Sequence, residues 1–145
     1  MRWKIKNREE LLSYGCRQSR RVVLDITDSV LKELDAYGRI RSILKCEGNL
    51  LKIGERCWDL SKKRHVYLIG AGKACNAMAM AVEDALGDRL TDGIAVVKIL
   101  EPEDRFVRTR VRIGGHPIPN QDGYEACLEI LDLIDHAAEE DLFLC

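Results

Sequence analysis

The 145-residue chain has the length of one domain, and its 46% hydrophobic content is ordinary for a globular protein. It has 23 basic and 24 acidic residues, a balance that argues against a dedicated nucleic-acid or anionic-membrane binder. The six cysteines form no Cys-x-x-Cys pair, the N-terminus is charged throughout, and no apolar run approaches the roughly 18 residues of a membrane span. We therefore expect a cytoplasmic protein with no membrane or nucleic-acid partner.

The first third of the chain predicts helices. Acidic residues in a first turn predict a short helix starting near Asn7, which Gly15 ends. A longer helix is predicted over residues 18–36, and a further short one begins near residue 39. The core stripe of the long helix is expected to contain Val23, Ile26, Val30 and Leu34.

Turn signals at Gly48 and Gly54 then separate two short apolar pieces, residues 50–53 and 56–58. This pattern predicts a small β-hairpin, at the edge of a sheet, with Trp58 packed beneath it. The segment 61–64, Ser-Lys-Lys-Arg, is predicted to form a solvated basic linker into the next strand.

The apolar run at residues 66–69 predicts a buried parallel strand that leads into the turn Gly70, Ala71, Gly72 and Lys73. A helix follows over residues 74–86, with a small-residue face expected at Ala74, Met78, Ala81 and Ala85. A strand, a Gly-x-Gly turn and a helix point backbone N–H groups at one spot, where a phosphate or carboxylate is favoured. Lys73, at the positive end of this helix, either meets such an anion or lies in solvent.

Two familiar phosphate motifs are excluded at this turn. The P-loop needs glycine at the position of Tyr67 and a hydroxyl at the position of Ala74. The dinucleotide fingerprint needs glycine or alanine at the position of Cys75, and no acidic residue clearly ends a second strand about 20 residues later.

Two more strands are predicted, a buried one over residues 93–98 and an alternating one over 106–113. The arginines of the second strand either bind an anion or lie on an exposed edge strand, where their like charges prevent pairing with another chain. Gly115, His116 and Pro117 follow directly, at the carboxyl end where α/β sheets bind ligands. His116 is a hydrogen-bond donor to a substrate or a brace of the loop.

Asn120 is predicted to cap the next helix, and the chain then enters a strand near residue 142. The predicted core face of this helix comprises Cys127, Ile130, Leu131 and Ile134. Cys75 and Cys127 are both expected on buried helix faces. The predicted fold class is α/β: an open, mostly parallel, Rossmann-like sheet flanked by helices, with a small β-hairpin insertion. Helices and the hairpin fill residues 1–64, and an incomplete βα core, truncated in its last strand, fills 65–145.

Several of these segments resemble one known family. Residues 7–12 look like its opening helix, residues 34–37 like its Asp-Pro-Tyr segment with Ala36 in place of proline, residues 70–74 like its glycine-lysine turn, and residues 115–119 like its second loop. The family is the ATP-dependent glycerate 2-kinases of the two-domain type, some of which are labelled hydroxypyruvate reductases. The chain resembles the N-terminal part of their large domain.

The resemblance implies transfer of the ATP γ-phosphate to the 2-hydroxyl of glycerate, with magnesium. Lys73 would be catalytic and hold the glycerate carboxylate or the phosphoryl group, while Gly70, Ala71 and Gly72 admit the ligand to backbone N–H groups. The loop formed by Gly115, His116 and Pro117 would contact the substrate. In the family, a Ser-Gly-Gly-Gly-Ser type loop, most of the large domain and a C-terminal domain follow. We therefore expect this fragment to be inactive alone, with most of the ATP and magnesium site outside it.

Two alternatives remain open. A phosphosugar isomerase-like domain also has a glycine turn with lysine, but it would place Ser-x-Ser after the next strand, where this chain has residues 96–99, Val-Val-Lys-Ile. A non-catalytic remnant would act as an interaction module. Its last strand would then pair with a partner, either a second copy of the chain or a complementing C-terminal fragment.

Overall fold

The computed structural model describes residues 4–145, and it divides into two compact units, Met1–Asp35 and Ala36–Cys145. The first unit contains the helices α1 (Arg8–Leu12) and α2 (Arg17–Glu33). Asp28 of α2 is buried, where its carboxylate pairs with Lys32 and accepts the backbone N–H of Lys4.

Helix α2 ends at Glu33, before the predicted end at residue 36. The predicted core stripe of this helix is wrong for the described residues, because each of its four members is at least half exposed: Val23, Ile26, Val30 and Leu34. An amphipathic pattern shows which side of a helix is apolar, but it does not show that other residues of the chain cover that side.

The second unit begins with α3 (Ala36–Ile43) and a three-stranded antiparallel sheet. The strands are β1 (Leu44–Glu47), β2 (Leu50–Ile53) and β3 (Arg56–Asp59), joined by turns in which Gly48 and Gly54 have positive φ. The predicted hairpin is confirmed as β2 and β3, but β1 was missed and the hairpin belongs to a sheet of its own. Trp58 was predicted to pack beneath the hairpin; it lies on β3 itself and packs against the main hydrophobic core.

A four-stranded parallel sheet forms the centre of this unit, in the order β6-β5-β4-β7. Its strands are β4 (Val66–Ala71), β5 (Asp92–Val97), β6 (Thr109–Ile113) and β7 (Leu142–Leu144). Helix α4 (Cys75–Leu86) follows β4, and helix α5 (Gln121–Asp135) connects β6 to β7. The predicted α/β class with an open parallel sheet is confirmed.

The buried faces of α4 and α5 agree only in part with the predicted ones. On α4, Ala81 is buried and Ala85 packs against the core, as predicted, whereas Ala74 and Met78 are exposed. Helix α4 also buries residues outside the predicted face: Cys75, Ala79, Val82 and Leu86. Helix α5 buries Ala126, whereas Cys127, Leu131 and Ile134 are exposed. Apolar residues occupy two adjacent sides of each helix, so helical spacing alone fitted more than one face.

The ion pairs of the basic residues add to their predicted roles. Residues 61–64 are mostly exposed, as predicted, but Arg64 also forms an ion pair with the buried Asp141 carboxylate. The arginines of the β6 segment are neutralised within the chain: Arg108 by Asp88, Arg110 by Asp92 and Glu129, and Arg112 by Glu129. These pairs favour the edge-strand interpretation over an anion site. None of the helices in residues 4–145 is long and apolar enough to cross a membrane.

Candidate functional site

The carboxyl ends of β4, β5 and β6 lie side by side along one edge of the parallel sheet. The loop after β4 contains Gly70 to Lys73, and the loop after β6 contains Gly115, His116 and Pro117. Because β5 separates these strands, the two predicted loops lie about 10 Å apart, twice the usual strand spacing. In open α/β sheets, ligands bind in the crevice along this edge.

The glycine turn after β4 needs its glycines for two different reasons. A Cβ on Gly70 would lie 2.6 Å from the Cys75 sulfur, so only glycine allows α4 to start this close to the strand. Gly72 has a φ of +129°, which other residues rarely adopt, and its N–H donates to the Val96 carbonyl at 3.0 Å. The turn is therefore fixed to the neighbouring strand β5.

The N-terminus of helix α4 has neither a capping side chain nor an acidic residue in its first turn. Its N-cap residue, Ala74, offers no side-chain hydrogen bond. Lys73 precedes it and is exposed, and no ion pair joins Lys73 to another residue in 4–145. An uncapped N-terminus and an unpaired cation both favour an anion at this place. Cys75 belongs to the hydrophobic core, and its burial there raises the pKa of the thiol.

The loop after β6 is built around one side chain. The Asn120 carboxamide oxygen accepts the N–H of Gly115 at 2.7 Å and the N–H of Gly123 at 3.0 Å. It therefore caps α5, as predicted, and fixes the preceding loop as well. Gly115 has no room for a Cβ, which would collide with the Ile118 carbonyl. His116 and Pro117 are exposed on the loop.

The structure brings both predicted loops to one edge but does not bring Lys73 and His116 into contact. No hydrogen bond within residues 4–145 joins the two side chains. The loop after β5 lies between them, and sequence reasoning missed this loop. The signal was available, since Lys98 follows an apolar strand in the same way that the predicted loops do.

The loop after β5 is held by Asn76, which lies in the first turn of α4 and is nearly buried. Its amide nitrogen donates to the Ile99 carbonyl at 2.8 Å and to the Asp104 carboxylate. Asp104 also accepts the N–H of Glu101 at 2.8 Å. The two contacts of Asn76 join residues more than 20 positions apart, so spacing along the sequence could not reveal them.

A cleft of about 630 Å³ opens beside the glycine turn. Gly70 to Ala74 line one part of it, and apolar side chains line most of the remainder: Ile40, Ile43, Ile53, Trp58, Met78 and Leu144. A mostly apolar cleft with a few polar groups at one end has the usual character of a small-molecule site.

The acidic side chains of the described chain do not form a metal centre. Within residues 4–145, no three His, Cys, Asp or Glu side chains converge closely enough to hold a metal ion. At the glycine turn, the uncapped helix start and the exposed Lys73 favour an anion over a cation.

The geometry of these loops can be compared with known proteins. A family model described as "Domain of unknown function (DUF4147)" matches residues 22–145. The chain belongs to this family. The resemblance to glycerate 2-kinases is confirmed by several relatives of this DUF4147 chain. A "Glycerate 2-kinase" from Pyrococcus horikoshii is 29% identical over 85% of the chain and 27% of that protein.

Other relatives of the DUF4147 chain have similar names. A "D-glycerate 2-kinase" from Thermotoga maritima is 30% identical over 54% of the chain and 19% of that protein. The human "Glycerate kinase" is 30% identical over 67% of the chain and 21% of that protein. The chain therefore spans about a quarter, or less, of the length of these curated relatives.

The fold has a match among solved structures. The crystal structure of the PH0495 protein from Pyrococcus horikoshii OT3 matches with a TM-score of 0.71 and 29% sequence identity. The match covers 86% of the DUF4147 chain and 28% of that protein.

Proposed function

We propose that the chain supplies the glycine-lysine part of a glycerate 2-kinase site, at which the ATP γ-phosphate is transferred to the 2-hydroxyl of glycerate. The observation that carries the proposal is Lys73, an exposed cation without an ion-pair partner in residues 4–145 at the uncapped start of α4. The names of the relatives support glycerate as the acceptor.

Phosphoryl transfer depends mainly on positioning and charge neutralisation. In the reaction, the bond from the γ-phosphorus to the bridging oxygen breaks, a bond to the glycerate 2-oxygen forms, and the hydroxyl proton leaves. Lys73 would hold the glycerate carboxylate or the migrating phosphoryl group. The space beside Gly72 is open, so a ligand can approach the backbone N–H groups at the start of α4 from that side.

The loop with Gly115, His116 and Pro117 would contact the substrate from another side. It lies two strands away from Lys73, so His116 would reach a different part of the ligand and not the same group. The Asn120 carboxamide gives this loop a fixed backbone, which favours a positioning role.

ATP and magnesium would find most of their ligands outside this chain. Magnesium supplies charge neutralisation for the phosphates when it is bound. The described acidic side chains do not converge on a metal site, and the chain covers about a quarter of its relatives' length. We therefore expect residues 1–145 alone to bind ligands weakly and to produce no turnover.

A graft tests this function. The matching first quarter of the Pyrococcus horikoshii glycerate 2-kinase is replaced by this chain, and glycerate-dependent ADP release is measured for the graft and for the chain alone. The proposal expects turnover from a folded graft and none from the chain. A folded graft without glycerate-dependent turnover contradicts the assigned function, and turnover by the chain alone contradicts its dependence on other residues.

A second candidate function is a non-catalytic interaction module. It is favoured by β7, a three-residue apolar strand at one edge of the described sheet, paired only with β4 within residues 4–145. An open strand edge can pair with a strand of a second copy or of a complementing fragment. This candidate ranks second, because it does not explain the uncapped N-terminus of α4 or the exposed Lys73 beside it.

A further inference from the structure

Lys98, the first residue after β5, is a second exposed cation at the carboxyl edge of the sheet. We propose that Lys98 binds the ligand together with Lys73, and that the two lysines favour a ligand with two anionic groups, such as a phosphorylated hydroxy acid. The choice of 2-phosphoglycerate as that ligand rests on the proposed function.

Two hydrogen bonds place the segments that contain these lysines side by side. The Gly72 N–H donates to the Val96 carbonyl at 3.0 Å, and the Asn76 amide donates to the Ile99 carbonyl at 2.8 Å. Lys73 lies between the two donors in the sequence, and Lys98 lies between the two acceptors. The two hydrogen bonds therefore hold the backbone segments of Lys73 and Lys98 next to each other.

The loop that starts at Lys98 is fixed on both sides. On one side, Asn76 is only 9% exposed, and its amide also donates to Asp104, whose carboxylate accepts the Glu101 N–H. On the other side, the Gly114 N–H donates to the Val97 carbonyl at 2.9 Å, next to the loop that contains His116. Lys98 therefore lies between the two loops already assigned to the site.

The two lysines at this edge differ from the arginines of the neighbouring strand β6. No ion pair joins Lys73 or Lys98 to another residue in the part that the structure describes. By contrast, the nearby β6 arginines Arg110 and Arg112 are both neutralised by carboxylates. An anionic ligand that lies between these two segments can interact favourably with both ammonium groups. A molecule with a carboxylate and a phosphoryl group satisfies both, whereas a simple hydroxy acid has only one anionic group.

The test measures binding of 2-phosphoglycerate and of glycerate to the 145-residue chain by NMR titration. The variants are Lys98→Gln, Lys98→Arg and, as a matched control, Lys52→Gln, which removes an exposed lysine on β2. Loss of one charge-assisted hydrogen bond should weaken 2-phosphoglycerate binding about tenfold in Lys98→Gln. Glycerate binding should change much less, Lys98→Arg should retain most of the affinity, and the control should match the parent chain.

Three results would overturn the proposal: equal weakening of both ligands in Lys98→Gln, no weakening of either, or a parent chain that does not prefer 2-phosphoglycerate. Because Lys98 is exposed and has no ion-pair partner among residues 4–145, its variants should keep the parent's spectral dispersion. Failure of the proposed function looks different. In that case 2-phosphoglycerate still binds in a Lys98-dependent way, but the grafted kinase does not phosphorylate glycerate.

Discussion

Arg64 and Asp141 form a bidentate ion pair that joins two distant parts of the chain. The guanidinium donates to the two carboxylate oxygens of Asp141 at 3.0 and 2.7 Å, and the Ala138 N–H adds a third bond at 2.9 Å. Arg64 precedes β4 and Asp141 precedes β7, so the contact aligns the starts of two parallel strands, with Val66 opposite Leu142. A bidentate pair of this kind fixes geometry as well as charge.

This pair predicts how β7 responds to acid. The Arg64 guanidinium holds the pKa of Asp141 well below its usual range. A carboxyl with a lowered folded-state pKa stabilises the fold above its unfolded-state pKa of about 3.9, and this contribution is lost as the pH falls below that value. Hydrogen exchange of the β7 amides should therefore accelerate below about pH 4, beyond the intrinsic pH effect on exchange.

The matched variant for this prediction is Asp141→Asn, which keeps the shape but not the charge. Its β7 protection at pH 7 should be lower than that of the parent, and its acid dependence should be weaker. If parent and variant lose β7 protection in parallel as the pH falls, the ion pair does not hold the strand.

Gly70→Ala should destabilise the glycine turn, because the new Cβ would lie 2.6 Å from the Cys75 sulfur. Overpacking of this kind costs about 1–3 kcal/mol in the free energy of unfolding. The measurement is urea unfolding of Gly70→Ala, Cys75→Ala and the double variant. The double variant should be more stable than the sum of the single effects predicts. Strict additivity would show that the sulfur is not what Gly70 avoids.

Asn120→Ala should cost about 1 kcal/mol of stability, since the carboxamide oxygen caps α5 and also accepts the Gly115 N–H. Asn120→Asp keeps an acceptor oxygen and should stay close to the parent. Urea unfolding compares the three proteins. Equal loss in both variants would mean that the amide nitrogen, and not the oxygen, supports this loop.

The outer face of α5, formed by Tyr124, Leu128, Leu131 and Ile134, predicts self-association of the isolated chain. Each of these side chains is roughly half exposed, and the β7 edge is also open within residues 4–145. Size-exclusion under reducing conditions should show oligomers at high concentration. Leu131→Lys should reduce them more than Ile118→Lys, a change at an exposed loop residue. A clean monomer at all concentrations would contradict this expectation.

Sequence patterns predicted the central strands, the glycine turn and the Asn120 cap, because each has a local cause. An apolar run predicts β4, glycines allow the close start of α4, and a short polar side chain caps α5. Strand β1 was missed because residues 39–44 carried a helical pattern that ends where the strand begins. The structure has both elements in direct succession.

The candidate site was predicted less completely than the fold. Both glycine loops were identified, but their separation by β5 follows from strand order, which the sequence does not state. The contact of Asn76 with Ile99 and the pairing of Arg64 with Asp141 join residues far apart in the chain. Side-chain pairs at such distances depend on the folded topology and leave no periodic signal.

The measurement that tests the central claim most directly is kcat/KM for glycerate in the grafted kinase with Lys73→Met. Lys52→Met, on the antiparallel sheet, is the matched control. Removing one electrostatic contact to the transferred group costs about 100-fold or more in rate, so Lys73→Met should lose at least that much while the control stays near the parent graft. Near-normal turnover of a folded Lys73→Met graft would remove Lys73 from the mechanism and contradict the account.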